Sequence, residues 1–140
     1  MIFIPISENS TTIQIDLNKN YENYSIGLVD FEISGLKDPQ FIEICCDQID
    51  STVENPKRIL KNIMFNRINN TSRDWFLTWK SSNIAFYPLD CCINNLKLKV
   101  TGQNGQPLIA KMFLKNVDPK IVLTIALAPI KNKENKWACI

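Results

Sequence analysis

Apolar and polar residues alternate with a period of two along much of this chain. In 11–17, Ile13, Ile15 and Leu17 fall on one face while Thr12, Gln14 and Asp16 fall on the other, the signature of a half-buried strand. In 41–46 (FIEICC), Ile42, Ile44 and Cys46 share a side. Leu96, Leu98 and Val100 oppose Asn95, Lys97 and Lys99, and 121–127 aligns Ile121, Leu123, Ile125 and Leu127. Residues 24–33 (YSIGLVDFEI) are apolar on both faces, as in a strand covered from two sides. A short aromatic strand is predicted at 84–88.

Turn signals separate these runs: Asn18 to Asn20, Ser34-Gly35, Asp38-Pro39, Glu54 to Pro56, Asn69-Asn70, Gly102 to Pro107 and Asp118-Pro119. The Asn104-Gly105 step suits a hairpin between right-twisted strands. One segment, 56–64 (PKRILKNIM), places its apolar residues at 59, 60, 63 and 64 and admits a short helix as well as a strand. Short strands at this spacing predict an all-β fold, a sandwich or barrel of about eight antiparallel strands.

The length of 140 residues suits one domain spanning 1–140. A chain of this size buries roughly 68–70% of its unfolded surface, enough for a core without staples. A net charge of +2 with scattered lysines excludes the clustered basic face that nucleic-acid binding needs. The one cluster, Lys131, Lys133 and Lys136, lies in the C-terminal segment. Residues 1–17 lack a basic stretch followed by a long apolar run, so no secretory signal is expected. IVLTIALAPI, the longest apolar stretch, falls short of the ~20 residues of a membrane helix. Five cysteines without such a signal predict reduced thiols.

The chain contains no histidine, which removes Ser-His-Asp and Cys-His catalysis and the commonest metal ligand. The Cys45-Cys46 and Cys91-Cys92 pairs fit zinc poorly, because adjacent strand residues point to opposite faces. Of Cys91 and Cys92, one is expected inside and the other outside. With four glycines there is no phosphate-cradling loop. Asp30 with Glu32, and Asp47 with Asp50, read as solvated carboxylates. Neither an enzyme nor a cofactor is predicted.

Three stretches carry a family resemblance. IPISENSTTIQIDLNKNYENYSIGLVDFEISGL resembles the opening of the jelly-roll capsid proteins of polinton-like, adintovirus-like and virophage-like DNA viruses, with residues 24–31 at their "yeVgLvei"-like strand. FIEICCDQIDSTVENPKRILKNI is similar to their "iyvyCDii…LLr-v" stretch, with Cys46-Asp47 at the Cys-Asp position. NIAFYPLDCCINNLKLKVTGQNGQPL followed by IVLTIALAPI is similar to "yvPv…f-tIeI-ltd--G-pi-f…v-vtLhfr", with Pro88, Leu96, Leu98, Gly105 and Pro107 on matching places. The last strand lacks the group's usual basic residue. The length leaves room for one roll and not for the two of a major capsid protein.

The resemblance implies a jelly-roll β-sandwich and a non-enzymatic capsid subunit, a vertex (penton) or minor component of a virion made in the host cytoplasm or nucleus. Its partners would be copies of itself, in a pentamer or larger ring, and other capsid proteins such as a double-jelly-roll major capsid protein. Candidate contact elements are two terminal arms. Residues 1–8 offer Ile2, Ile4 and Ile6, an apolar stripe; residues 131–140 offer the three lysines with Trp137 and Ile140. Trp75 and Trp79 are further interface candidates, since Trp dominates interface hot spots. The alternative is a small β-sandwich binding module, such as a carbohydrate binder using Trp75, Trp79 and Tyr87.

Overall fold

The computed structural model describes residues 1–36, 41–64, 76–90, 92–108, 113 and 120–130. They form nine strands: β1 (Ile2–Glu8), β2 (Thr12–Glu22), β3 (Tyr24–Ser34), β4 (Phe41–Cys46), β5 (Ile59–Met64), β6 (Phe76–Lys80), β7 (Phe86–Pro88), β8 (Cys92–Thr101) and β9 (Lys120–Pro129). Two antiparallel sheets result. The first runs β1-β9-β3-β6, with β7 also pairing β3, and the second runs β2-β8-β4-β5.

β6 and β7 pair successive stretches of β3 in the same direction, Phe76 to Lys80 against Ser34 to Asp30 and Phe86 to Pro88 against Gly27 to Ser25. They are one strand broken at 81–85. Counted so, eight strands form the pairs β1·β9, β2·β8, β3·β6/β7 and β4·β5, the arms of one long hairpin. The β9·β3 and β8·β4 pairings roll that hairpin into two sheets. This is the jelly-roll β-sandwich the sequence predicts.

The core forms from the aligned faces: Ile13 and Leu17 from β2, Ile42, Ile44 and Cys46 from β4, Leu96, Leu98 and Val100 from β8, and Ile121, Leu123, Ile125 and Leu127 from β9 are all buried. Burial of such side chains contributes about 1.5–3 kcal/mol each. In β3 the inward parity changes. Leu28 pairs Ile125 and Asp30 pairs Thr124, so Val29 is a bulge. Ile26 and Leu28 point inward before it, Phe31 and Ile33 after it.

The expectation of a short helix at 56–64 is corrected: 59–64 is strand β5, and a turn precedes it. Ile44 pairs Lys61 while Cys45 pairs Ile59, which leaves Leu60 as the extra residue of a bulge. Leu60 and Ile63 are therefore both buried three residues apart, a helical spacing created by a kinked strand. The side chain of Asn55 fixes the strand's entry, accepting from Ile59 N–H at 2.8 Å and donating to Ile59 O at 2.9 Å.

The turn after β8 is tight, but among the described residues β8 pairs only β2 and β4, so the expected hairpin is not found there. Asn104 and Gly105 take φ values of 56° and 75°, and Gln106 N–H donates to Gln103 O at 3.2 Å. No strand follows within 106–108.

A candidate interaction surface on the outer face of the first sheet

Ile2, Ile4 and Ile6 lie in β1, which pairs β9 from Ile2↔Leu127 to Glu8↔Ile121. Ile6 is buried, and Ile2 and Ile4 pack against the core. The N-terminal stripe therefore completes the sandwich, and the alternate residues face out. Phe3 is 55% exposed, and Met1 and Pro5 are exposed with it.

Trp79 in β6 pairs Phe31, a fully buried residue, so both occupy the inner face. Its ring is half-buried against the core at the sandwich edge, with the Lys61 ammonium of β5 5.2 Å from its centroid. That cation–π contact joins the edges of the two sheets. Tyr87 pairs Ile26 and packs on the core in the same way. Trp75, Lys131, Lys133, Lys136, Trp137 and Ile140 lie outside the described residues.

Residues paired across neighbouring antiparallel strands share a face, so the registers give the outer face of the first sheet row by row. One row is Phe3, Ala126, Gly27 and Phe86; the next, toward the end of β9, is Ala128, Ser25 and Pro88. In the other direction come Pro5, Thr124, Asp30 and Lys80, then Ser7, Val122, Glu32 and Thr78. The face is divided. One half holds no charged side chain, and the other carries Asp30, Glu32 and Lys80.

Gly27 lets the broken strand close over this apolar half. A Cβ at residue 27 would collide with Ile84 Cγ2 and stand 2.9 Å from Ala85 O. The break at 81–85 thus seats Ile84 over Gly27. Ser81 N–H anchors the start of the break on the bulge, donating to Val29 O at 2.9 Å. Ala126 beside it is fully buried although it faces outward, and Phe3 at the margin stays open. No sequence signal short of the strand pairing marks this patch.

The remaining polar features are internally satisfied. A polar concavity of about 490 Å³ lies on the second sheet, lined by Gln14, Asp16, Asn94 and Asn95. Asp16 accepts from Asn18 N–H at 2.9 Å, and Asn95 Nδ2 donates to Asn94 Oδ1 at 3.1 Å. Burial pushes the Cys46 thiol up to about 12, and burial together with the Glu43 carboxylate pushes Cys45 up to about 11. Both are free thiols, but protonated ones. Cys92 is exposed and disulfide-bonded, which corrects the expectation of uniformly reduced cysteines; Cys91 lies outside the described residues. Among the described residues no group of three or more Cys, Asp and Glu is placed to hold a metal ion. No helix among them is long and apolar enough to cross a membrane.

The fold and this surface define the class, a single jelly-roll sandwich with a divided outer face. No protein-family model matches the chain, and no curated protein matches it.

Proposed function

We propose that the protein is a non-enzymatic assembly subunit, a capsid vertex or minor capsid component that joins copies of itself into a pentamer or larger ring. Partners in the virion would include a double-jelly-roll major capsid protein. The observation that carries this reading is the wound-hairpin strand order in one compact roll, coupled to the resemblance of its strands to capsid jelly rolls. Jelly rolls also serve lectins and cupins, so fold alone does not choose a function. Two local facts favour assembly. The outer face of the first sheet carries an uncharged half with an open Phe3, a large aromatic of the kind that anchors interfaces. The acid–base inventory is thin, since the chain contains no histidine and its described free thiols stay protonated at neutral pH.

Of the aromatic residues that suggested the sugar-binding alternative, Trp79 and Tyr87 turn inward, and Trp75 lies outside the described residues. Light scattering on the full chain over a concentration series tests the proposal. A discrete multimer that grows with concentration is expected; a chain that remains monomeric throughout overturns it.

A further inference from the structure

The connection between β4 and β5 reaches across to the first sheet just after β7. Ile49 pairs Leu89 there in an isolated antiparallel bridge, and both side chains are buried. On either side of that pair, Asp50 N–H donates to Pro88 O at 2.9 Å and Asp90 N–H to Gln48 O at 2.7 Å. Neighbours of an inward residue on extended backbone point outward, so Asp50 and Asp90 share the outer side of the bridge, diagonal to each other. Their carboxyl groups are in hydrogen-bond contact. An ionised carboxylate only accepts, so this contact needs a proton on one of the two. We propose that Asp50, Asp90 and Arg58 form a proton-operated clasp, which holds the β4–β5 connection on the first sheet more firmly in acid than at neutral pH.

Arg58 sets the charge balance. Its carbonyl accepts from Cys46 N–H at 3.0 Å, and its Nε donates to Ile49 O at 3.0 Å, which fixes the guanidinium beside the bridge. With both carboxyls ionised the three groups carry one surplus negative charge, and a single shared proton removes it. Without that proton, like charges stand diagonal across the two hydrogen bonds that close the bridge, a destabilising placement.

The other groups around the clasp leave this balance in place. From β4, the Cys46 thiol keeps its proton to about 12, and Asp47 beside it is a third carboxyl. From β8, Lys97 holds the connection through its backbone, donating to Gln48 Oε1 at 2.7 Å. From the first sheet, Tyr24 contributes its carbonyl, which accepts from Leu89 N–H at 2.9 Å. Burial, then the Asp50 contact, raise the Asp90 carboxyl above its ordinary 3.8, against Arg58. A carboxyl raised in the closed state stabilises closure while protonated. That contribution is complete below the ordinary value and is lost as pH rises through the raised one. Both aspartates are exposed, so the effect is a local opening of the connection and not unfolding of the sandwich.

Amide hydrogen exchange on the full chain tests the clasp, with each rate corrected for the intrinsic effect of pH. From about pH 7 to about pH 3, a span that brackets the ordinary carboxyl value, protection of the Asp50 and Asp90 amides is expected to rise about three- to fivefold, the size of an exposed charge contact. The Ser81 amide, which donates to Val29 O within the first sheet, is the reference and is expected to change less. Asp90→Asn, read at the Asp50 amide, is expected to hold the acid level of protection at every pH, because a carboxamide donates to a carboxylate without an added proton. Asp50→Asn, read at the Asp90 amide, is expected to do the same and carries the test alone if the first variant does not fold. Protection at Asp50 and Asp90 that stays level with pH would overturn the clasp. So would a pH dependence that survives in the folded variants, or one that Ser81 follows in full, since the proton would then act elsewhere or on the whole sandwich.

Discussion

At Gly27 a missing side chain decides how two segments meet. The broken strand between β6 and β7 crosses the outer face of β3 only because residue 27 has no Cβ to strike Ile84 and Ala85. Gly27→Ala is expected to lower stability by about 1–3 kcal/mol, the usual cost of overpacking. The same change should expose Ala126 as the 81–85 segment lifts. Chemical denaturation measures the first effect, and hydrogen exchange at Ala126 the second. Cys46 supplies a second prediction. Its thiol holds its proton to about 12 in the folded chain, against an ordinary value near 9. The unfolded chain therefore releases that proton first as pH rises. The Cys46 contribution is complete below about pH 9 and is lost between there and about pH 12. Cys46→Val should flatten the alkaline decline of the unfolding midpoint relative to the unaltered chain. At neutral pH, iodoacetamide should label Cys45 and Cys46 far more slowly in the folded protein than in the denatured one.

Bulges explain which elements were legible in the sequence. Strands β2, β4, β8 and β9 keep strict alternation along their predicted stretches and emerge from pattern alone. In β3 the bulge at Val29 moves the inward residues from even to odd numbers, which in sequence looks like a strand apolar on both faces. In β5 the bulge at Leu60 brings Leu60 and Ile63 to the core together and imitates a helix. A period read from sequence assumes an unbroken pleat, and one extra residue defeats it. The connection between β4 and β5 has its own tie to the first sheet, an isolated antiparallel bridge between Ile49 and Leu89. Asp50 N–H donates to Pro88 O at 2.9 Å and Asp90 N–H to Gln48 O at 2.7 Å. Burial raises the Asp90 carboxyl above its ordinary range; a hydrogen bond with the Asp50 carboxyl and the Asp50 charge raise it further, while Arg58 opposes them. A raised carboxyl favours the folded state when protonated and weakens it as pH rises through its folded value. Asp90→Asn should therefore raise the melting temperature at neutral pH and converge with the unaltered chain in acid. Thermal unfolding at the two pH values measures this, and an unchanged difference in acid would contradict it.

Across the whole molecule, alternation identified the sandwich, but the rolling of one hairpin into two sheets rests on pairings between distant residues, such as Ile2 with Leu127. No local pattern encodes them; the jelly-roll order was reached through resemblance. The candidate surface was less legible still. Ile2, Ile4 and Ile6 draw attention by their spacing, and that spacing is what turns them inward and leaves Phe3 outside. Gly27, Ala126 and Phe86 are unremarkable until the strand registers bring them into one row. The described strands bury their aligned faces between the two sheets, and it is the proposed function that assigns the outer face to a neighbour. Native mass spectrometry of the full chain counts the copies directly. The account predicts one dominant cyclic species, a pentamer or larger ring. A monomer at every concentration, or a dimer that adds no further copies, would contradict it.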